Sequence, residues 1–81
     1  MICCDFVQAP ASGNPNHGAC LSSTEEDTAK EAITTAAEQA SQYAKPGRIY
    51  GIVYIGRKTL AEYTGDNIAE VRDKLIWLDE D

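Results

Sequence analysis

Cys3, Cys4 and Cys20 are the only thiols of the chain and His17 is its only imidazole, and all four fall within the first quarter of the sequence. Thiolates and imidazoles bind zinc, and a thiol beside an imidazole can begin nucleophilic catalysis. Spacing decides whether either chemistry is available. Structural zinc sites draw on Cys-x2–4-Cys and His-x3–5-His knuckles, whereas this stretch offers an adjacent pair, Cys3-Cys4, and the run "HGAC" ending at Cys20. In a strand, adjacent side chains point to opposite faces, so Cys3 and Cys4 cannot readily share one ion and at most three ligands converge. No Cys-x-x-Cys occurs, no cation adjoins Cys3 or Cys4 to favour a thiolate, and Asp5 opposes one. His17 and Cys20 lack a third, orienting group.

The expectation is therefore no catalytic residue, no cofactor and no metal. The thiols serve as small hydrophobes in or near the core, and His17 is a solvated loop residue. A small metal- or ligand-binding protein using Cys3, Cys4, His17 and Cys20, with its site completed between subunits, remains the alternative. Phosphate chemistry finds no support, since neither Gly-x-x-x-x-Gly-Lys nor Gly-x-Gly-x-x-Gly is present. Gly65-Asp66-Asn67 opens a helix, but Asp66 already occupies the electropositive spot at its amides.

The elements that carry these residues can be read from periodicity and turn chemistry. "ICCDFVQ" has the alternation of a strand, with Ile2, Cys4 and Phe6 on one side and Cys3, Asp5 and Val7 on the other. Two prolines, a glycine and two asparagines in "APASGNPN" predict a loop at about 9–18, and "HGACLSS" is short enough to be a second strand or more loop. From 23 to 45 a helix is expected, with Ser23 and Glu26 at capping-box spacing. Its apolar stripe is Ala29, Ala32, Ile33, Ala36, Ala37, Ala40 and Tyr43, and Pro46-Gly47 ends it. Ile33 and Tyr43 would supply most of its bulk.

"RIYGIVYI", then Gly56-Arg57, then "KTLAEYT" predicts a hairpin with a two-residue type II′ turn. An unbroken register sets Tyr54 across from Thr59, Ile52 from Ala61 and Tyr50 from Tyr63, which gathers three tyrosines on one face. The other face pairs Ile55 with Lys58, Val53 with Leu60 and Gly51 with Glu62. Apolar groups on both faces call for a second covering layer or for a docking surface. A second helix follows Gly65, with Asn67 and Glu70 at capping-box spacing and Ile68, Val71, Leu75 and Leu78 on one face. Acids at 79–81 sit at its negative end and should fray. This second unit is loosely similar to the hairpin and following helix of HicB-type antitoxins. It carries no diagnostic motif, so no functional residue transfers.

The fold class expected is α+β, a small single-layer antiparallel sheet packed against two helices in the order β(β)αββα, as one domain over 1–81. At 81 residues such a domain buries only roughly 60% of its unfolded surface, which leaves little room for a deep cleft. Hydrophobic residues at 43% and charged residues at 25% are ordinary for a globular chain. Thirteen acids against seven bases give a net charge of −6, with the cations dispersed, which disfavours direct nucleic-acid binding and suits a basic protein partner. No apolar run approaches a membrane span and no export signal is visible, so a cytoplasmic protein without membrane contact is expected.

The functional expectation is a non-enzymatic protein-binding module, an inhibitor or adaptor of the kind encoded by phages and mobile elements, including anti-defence proteins. It would act by occupying a partner's surface, and a homodimer is compatible with it. Candidate binding residues are Tyr50, Tyr54 and Tyr63, whose rings offer contact area with a polar tip, and the acids Asp27, Glu31 and Glu38 on the outer face of the first helix.

Overall fold

The computed structural model describes residues 1–9, 19–45 and 47–79. Its elements are β1 (Ile2–Gln8), β2 (Ala19–Glu26), α1 (Ala29–Ser41), β3 (Ile49–Ile55), β4 (Lys58–Gly65) and α2 (Ile68–Asp79). The strands form one antiparallel sheet in the order β2-β1-β3-β4, so the chain is α+β with the second strand present. Of the expected loop at 9–18 only Ala9 is described; it is buried, and its amide donates to the Arg48 carbonyl at 3.0 Å. His17, Pro46 and residues 80–81 lie outside the described residues.

The expected helix from Ser23 does not begin there. Ser23 and Glu26 belong to β2, which pairs with β1 from Ile2↔Glu26 to Gln8↔Ala19. The Ser23 hydroxyl donates to Asp5 Oδ1 at 2.7 Å instead of capping a helix. Strand pairing has overridden a local helix-start signal, and the true N-cap is Thr28, whose Oγ1 accepts from the Glu31 amide at 3.2 Å. Thr28 and Glu31 have the same spacing as Ser23 and Glu26, and the pairing of β2 with β1 is what moves the helix start from the first pair to the second. At the other end α1 stops at Ser41, which strands Tyr43 beyond the helix and 64% exposed rather than in the core.

Both helices lie on the same face of the sheet, α1 over β2 and β1 and α2 over β4 and β3, and they touch each other. The core between the layers is Cys4 and Phe6 of β1, Ile49 and Val53 of β3, the alanines and Ile33 of α1, and Val71 and Leu75 of α2. Close approach is achieved in opposite ways on the two sides. Under α1 the small residues are on the helix, and its backbone comes near enough for Ser22 to donate to the Ala36 carbonyl at 2.7 Å and Thr24 to the Ala32 carbonyl at 2.8 Å. Under α2 the small residue is on the sheet: a Cβ at Gly51 would stand 2.6 Å from Val71 Cγ1 and 2.7 Å from Leu75 Cδ1.

The element order makes two successive ββα units, β1-β2-α1 and β3-β4-α2, and these also share their irregularities. Register shifts occur between Phe6 and Val7 against β2 and between Val53 and Tyr54 against β4, which leave Leu21 and Leu60 as the extra residues of two β-bulges on the edge strands. Beyond each bulged leucine the strand runs into a helix capped by an Asx or Thr side chain, Thr28 for α1 and Asn67 for α2. The second cap is the expected one: Asn67 Oδ1 accepts from the Glu70 amide at 2.8 Å, and Glu70 Oε2 reaches back to accept from the Asp66 amide at 3.0 Å. The hairpin turn is also as expected, with positive φ at Gly56 (58°) and at no described non-glycine residue, the pattern of type II′.

Candidate functional site: the open sheet face

With both helices on one side, the opposite face of the sheet has no covering layer among the described residues. Register builds it in three rows. Glu25, Cys3, Tyr54 and Thr59 make the first; Ser23, Asp5, Ile52 and Glu62 the second; Cys20, Val7, Tyr50 and Thr64 the third. The centre is half-buried by its own neighbours, since Asp5, Val7, Tyr50, Ile52 and Tyr54 are all of intermediate exposure, and Glu25 and Glu62 at the margins are exposed.

Each tyrosine on this face leans toward the middle row. Tyr50 donates to Glu62 Oε2 at 2.6 Å, and Tyr54 lies 3.1 Å from Asp5 Oδ2 and 3.3 Å from Oδ1. Asp5 is therefore held by two hydroxyls, from Ser23 on one side and Tyr54 on the other. Burial, then the hydrogen bond to Glu62, pushes the Tyr50 phenol up to about 12. Burial and the Asp5 charge raise Tyr54 as well. Both phenols stay protonated donors at neutral pH, which fixes the orientation of the carboxylates beside Ile52.

Tyr63 is not on this face. The bulge at Leu60 shifts the hairpin register by one, so Tyr63 pairs with Gly51, Ile52 with Glu62, Tyr50 with Thr64 and Val53 with Ala61. Because side chains alternate with period two, that shift turns Tyr63 to the helix side. There it packs against the core, donates to Glu70 Oε1 at 3.1 Å, and has Lys74 Nζ 5.9 Å from its ring centroid. The hydrogen bond to Glu70 is the main reason its phenol is raised.

The acids expected on the first helix, Asp27, Glu31 and Glu38, are exposed. Glu31 and Glu38 are on α1, while Asp27 precedes its cap, so all three lie in the helix layer, away from the open face. An open hollow of about 330 Å³ beside them is lined by Glu26, Lys30, Glu31, Thr34 and Thr35. Lys30 breaks up the negative surface there.

The thiols are dispersed. Cys4 is fully buried, and burial, with the Asp5 charge second, pushes it up to about 12. Cys3 is on the open face, where partial burial and its 3.6 Å hydrogen bond to Glu25 raise its pKa. Cys20 pairs with Val7, four residues along the strand from Cys3, or about 13 Å at normal strand rise. Sites at that separation cannot share an ion bound at about 2.3 Å. Among the described residues no three His, Cys, Asp or Glu side chains gather as metal ligands.

Sequence reasoning missed Asp5, Ile52, Val7 and Glu62 as members of one surface. Parity already put Tyr50, Ile52 and Tyr54 on one side of β3. The strand order that sets Asp5 and Glu62 on either side of Ile52 has no local signal. Among the described residues no helix is long and apolar enough to cross a membrane. No family model, curated protein or solved structure matches the chain.

Proposed function

We propose that this chain is a non-enzymatic protein-binding module that lays its open sheet face on a basic surface of another protein, as an inhibitor or adaptor would. The observation that carries this reading is a sheet with both helices on one side and Val7, Tyr50, Ile52 and Tyr54 on the other. A face of mixed aromatic and aliphatic side chains without a second layer is what an interface core requires.

Charge selects the occupant. The strand residues of this face include Asp5, Glu25 and Glu62 and no lysine or arginine. Arg48, just before β3, is taken up by Asp66 at 3.3 Å. A second copy would set these acids against themselves, and phosphate backbones would be repelled. A basic protein surface is complementary.

The test is capture of a partner from the native host at physiological salt by wild-type chain and by Ile52→Asp, after circular dichroism shows both folded. A partner retained by wild type and lost by Ile52→Asp supports the reading. Equal capture by both overturns it. Self-association in sedimentation that Ile52→Asp abolishes would replace the basic partner with a second copy.

A further inference from the structure

The footprint available is modest. Four strands about 4.8 Å apart and about seven residues long at about 3.3 Å each cover on the order of 440 Å² in projection, against roughly 800 Å² per partner in a standard interface. Affinity on such a surface must be concentrated in a few anchors. The middle row supplies them. Asp5 and Glu62 flank Ile52 on the two neighbouring strands. Their Cα atoms are thus two strand spacings apart, about 10 Å.

We infer that the middle row recognises a basic–apolar–basic arrangement of side chains, in which two arginines or lysines about 10 Å apart meet Asp5 and Glu62 and the apolar residue between them rests on Ile52. The inference rests on the docking-face reading above and names what that face reads.

The hydroxyls that hold the two acids are the second reason. Tyr54 and Ser23 bond Asp5, and Tyr50 bonds Glu62 through Oε2 only. Each carboxylate is oriented before the partner arrives and keeps acceptor positions for an incoming N–H, since a carboxylate has about four lone-pair sites. Preorganised acceptors lose less side-chain freedom on binding than free ones. Tyr50 and Tyr54 stand beside the same positions, and an aromatic ring attracts the cation of an arginine or lysine laid against it. An arginine fits best, because its planar fork can take both oxygens of Glu62 or Asp5.

The test uses the full chain, labelled with nitrogen-15, and a blocked pentapeptide with arginine at both ends, valine at its centre and alanine between as probe, because an extended backbone puts the first, third and fifth residues on one face. Its citrulline counterpart keeps the shape without the charge. The expected result is amide shifts centred on Asp5, Ile52 and Glu62, weakening with added salt, with no binding of the citrulline peptide. Asp5→Asn with Glu62→Gln preserves the acceptors for Ser23, Tyr50 and Tyr54, and should weaken binding about tenfold, as two partly exposed ion pairs would. Glu62→Gln alone, at an exposed position, covers the case in which the double variant fails to fold, and should lose about half of that effect on a logarithmic scale.

Shifts centred on Glu31 and Glu38, undiminished binding by the neutralised variants, or no binding of the arginine peptide overturns the inference. The two readings fail separately. A protein partner whose capture depends on Ile52 but not on Asp5 or Glu62 sinks the basic–apolar–basic inference and leaves the docking face standing.

Discussion

The Tyr50 hydroxyl lies 2.6 Å from Glu62 Oε2, a charge-assisted bond between neighbouring strands on the sheet face opposite α1 and α2. It ties β3 to the edge strand β4 through side chains as well as through the ladder. It also makes the hairpin sensitive to the protonation of one phenol.

That phenol sets a prediction at high pH. Its folded value of about 12 lies above the ordinary 10.0, so the folded chain holds the proton more tightly than the unfolded one. The stabilisation is complete below pH 10.0 and is lost as pH rises through about 12. Phenolate absorbance during alkaline titration should show tyrosines ionising late, since Tyr54 and Tyr63 are raised too, and Tyr50→Phe should remove the latest step. A titration unchanged by Tyr50→Phe would refute the assignment.

Gly51→Ala tests the contact between sheet and α2. The new methyl would fall 2.6 Å from Val71 Cγ1 and 2.7 Å from Leu75 Cδ1, both side chains fully buried, so these side chains or the helix that carries them must shift. Overpacking of this kind costs typically about 1–3 kcal/mol. Urea melts should show the midpoint falling, and Gly56→Ala is not the right control because φ there is positive.

The two caps should contribute alike if the ββα units are built alike. Thr28→Ala and Asn67→Ala each remove a side-chain acceptor from a helix N-terminus, for about 1 kcal/mol apiece. In a domain of this size that is a fall in Tm of roughly 4–8 °C per variant. By contrast Ser23→Ala should leave α1 intact, because Ser23 is in β2 and bonds Asp5.

Thiol labelling separates the three cysteines. Cys20 is exposed and Cys3 half-exposed, whereas Cys4 is fully buried with its pKa at about 12. Under native conditions a thiol reagent should modify Cys20 first, and Cys4 only at the rate of global unfolding. Fast native labelling of Cys4 would contradict the packing of β1 under α1.

Several features were legible from local chemistry. The β1 alternation, the alanine stripe of α1, the Gly56 turn and the Asn67 cap each depend on residues close in sequence, and each sits where its pattern puts it. Other features depend on partners far along the chain. "SSTEED" carries a helix-start signal, yet pairing with β1 makes Ser22 to Glu26 a strand, and the cap moves to Thr28. The Leu60 bulge adds one residue to an edge strand and turns Tyr63 from the open face to the core side, since a shift of one reverses every side chain beyond it. That both helices share one face, which leaves Asp5, Ile52 and Glu62 in a row on the other, was decided by tertiary packing alone: the alanines of α1 and Gly51 of β3 let both helices press close to the same side.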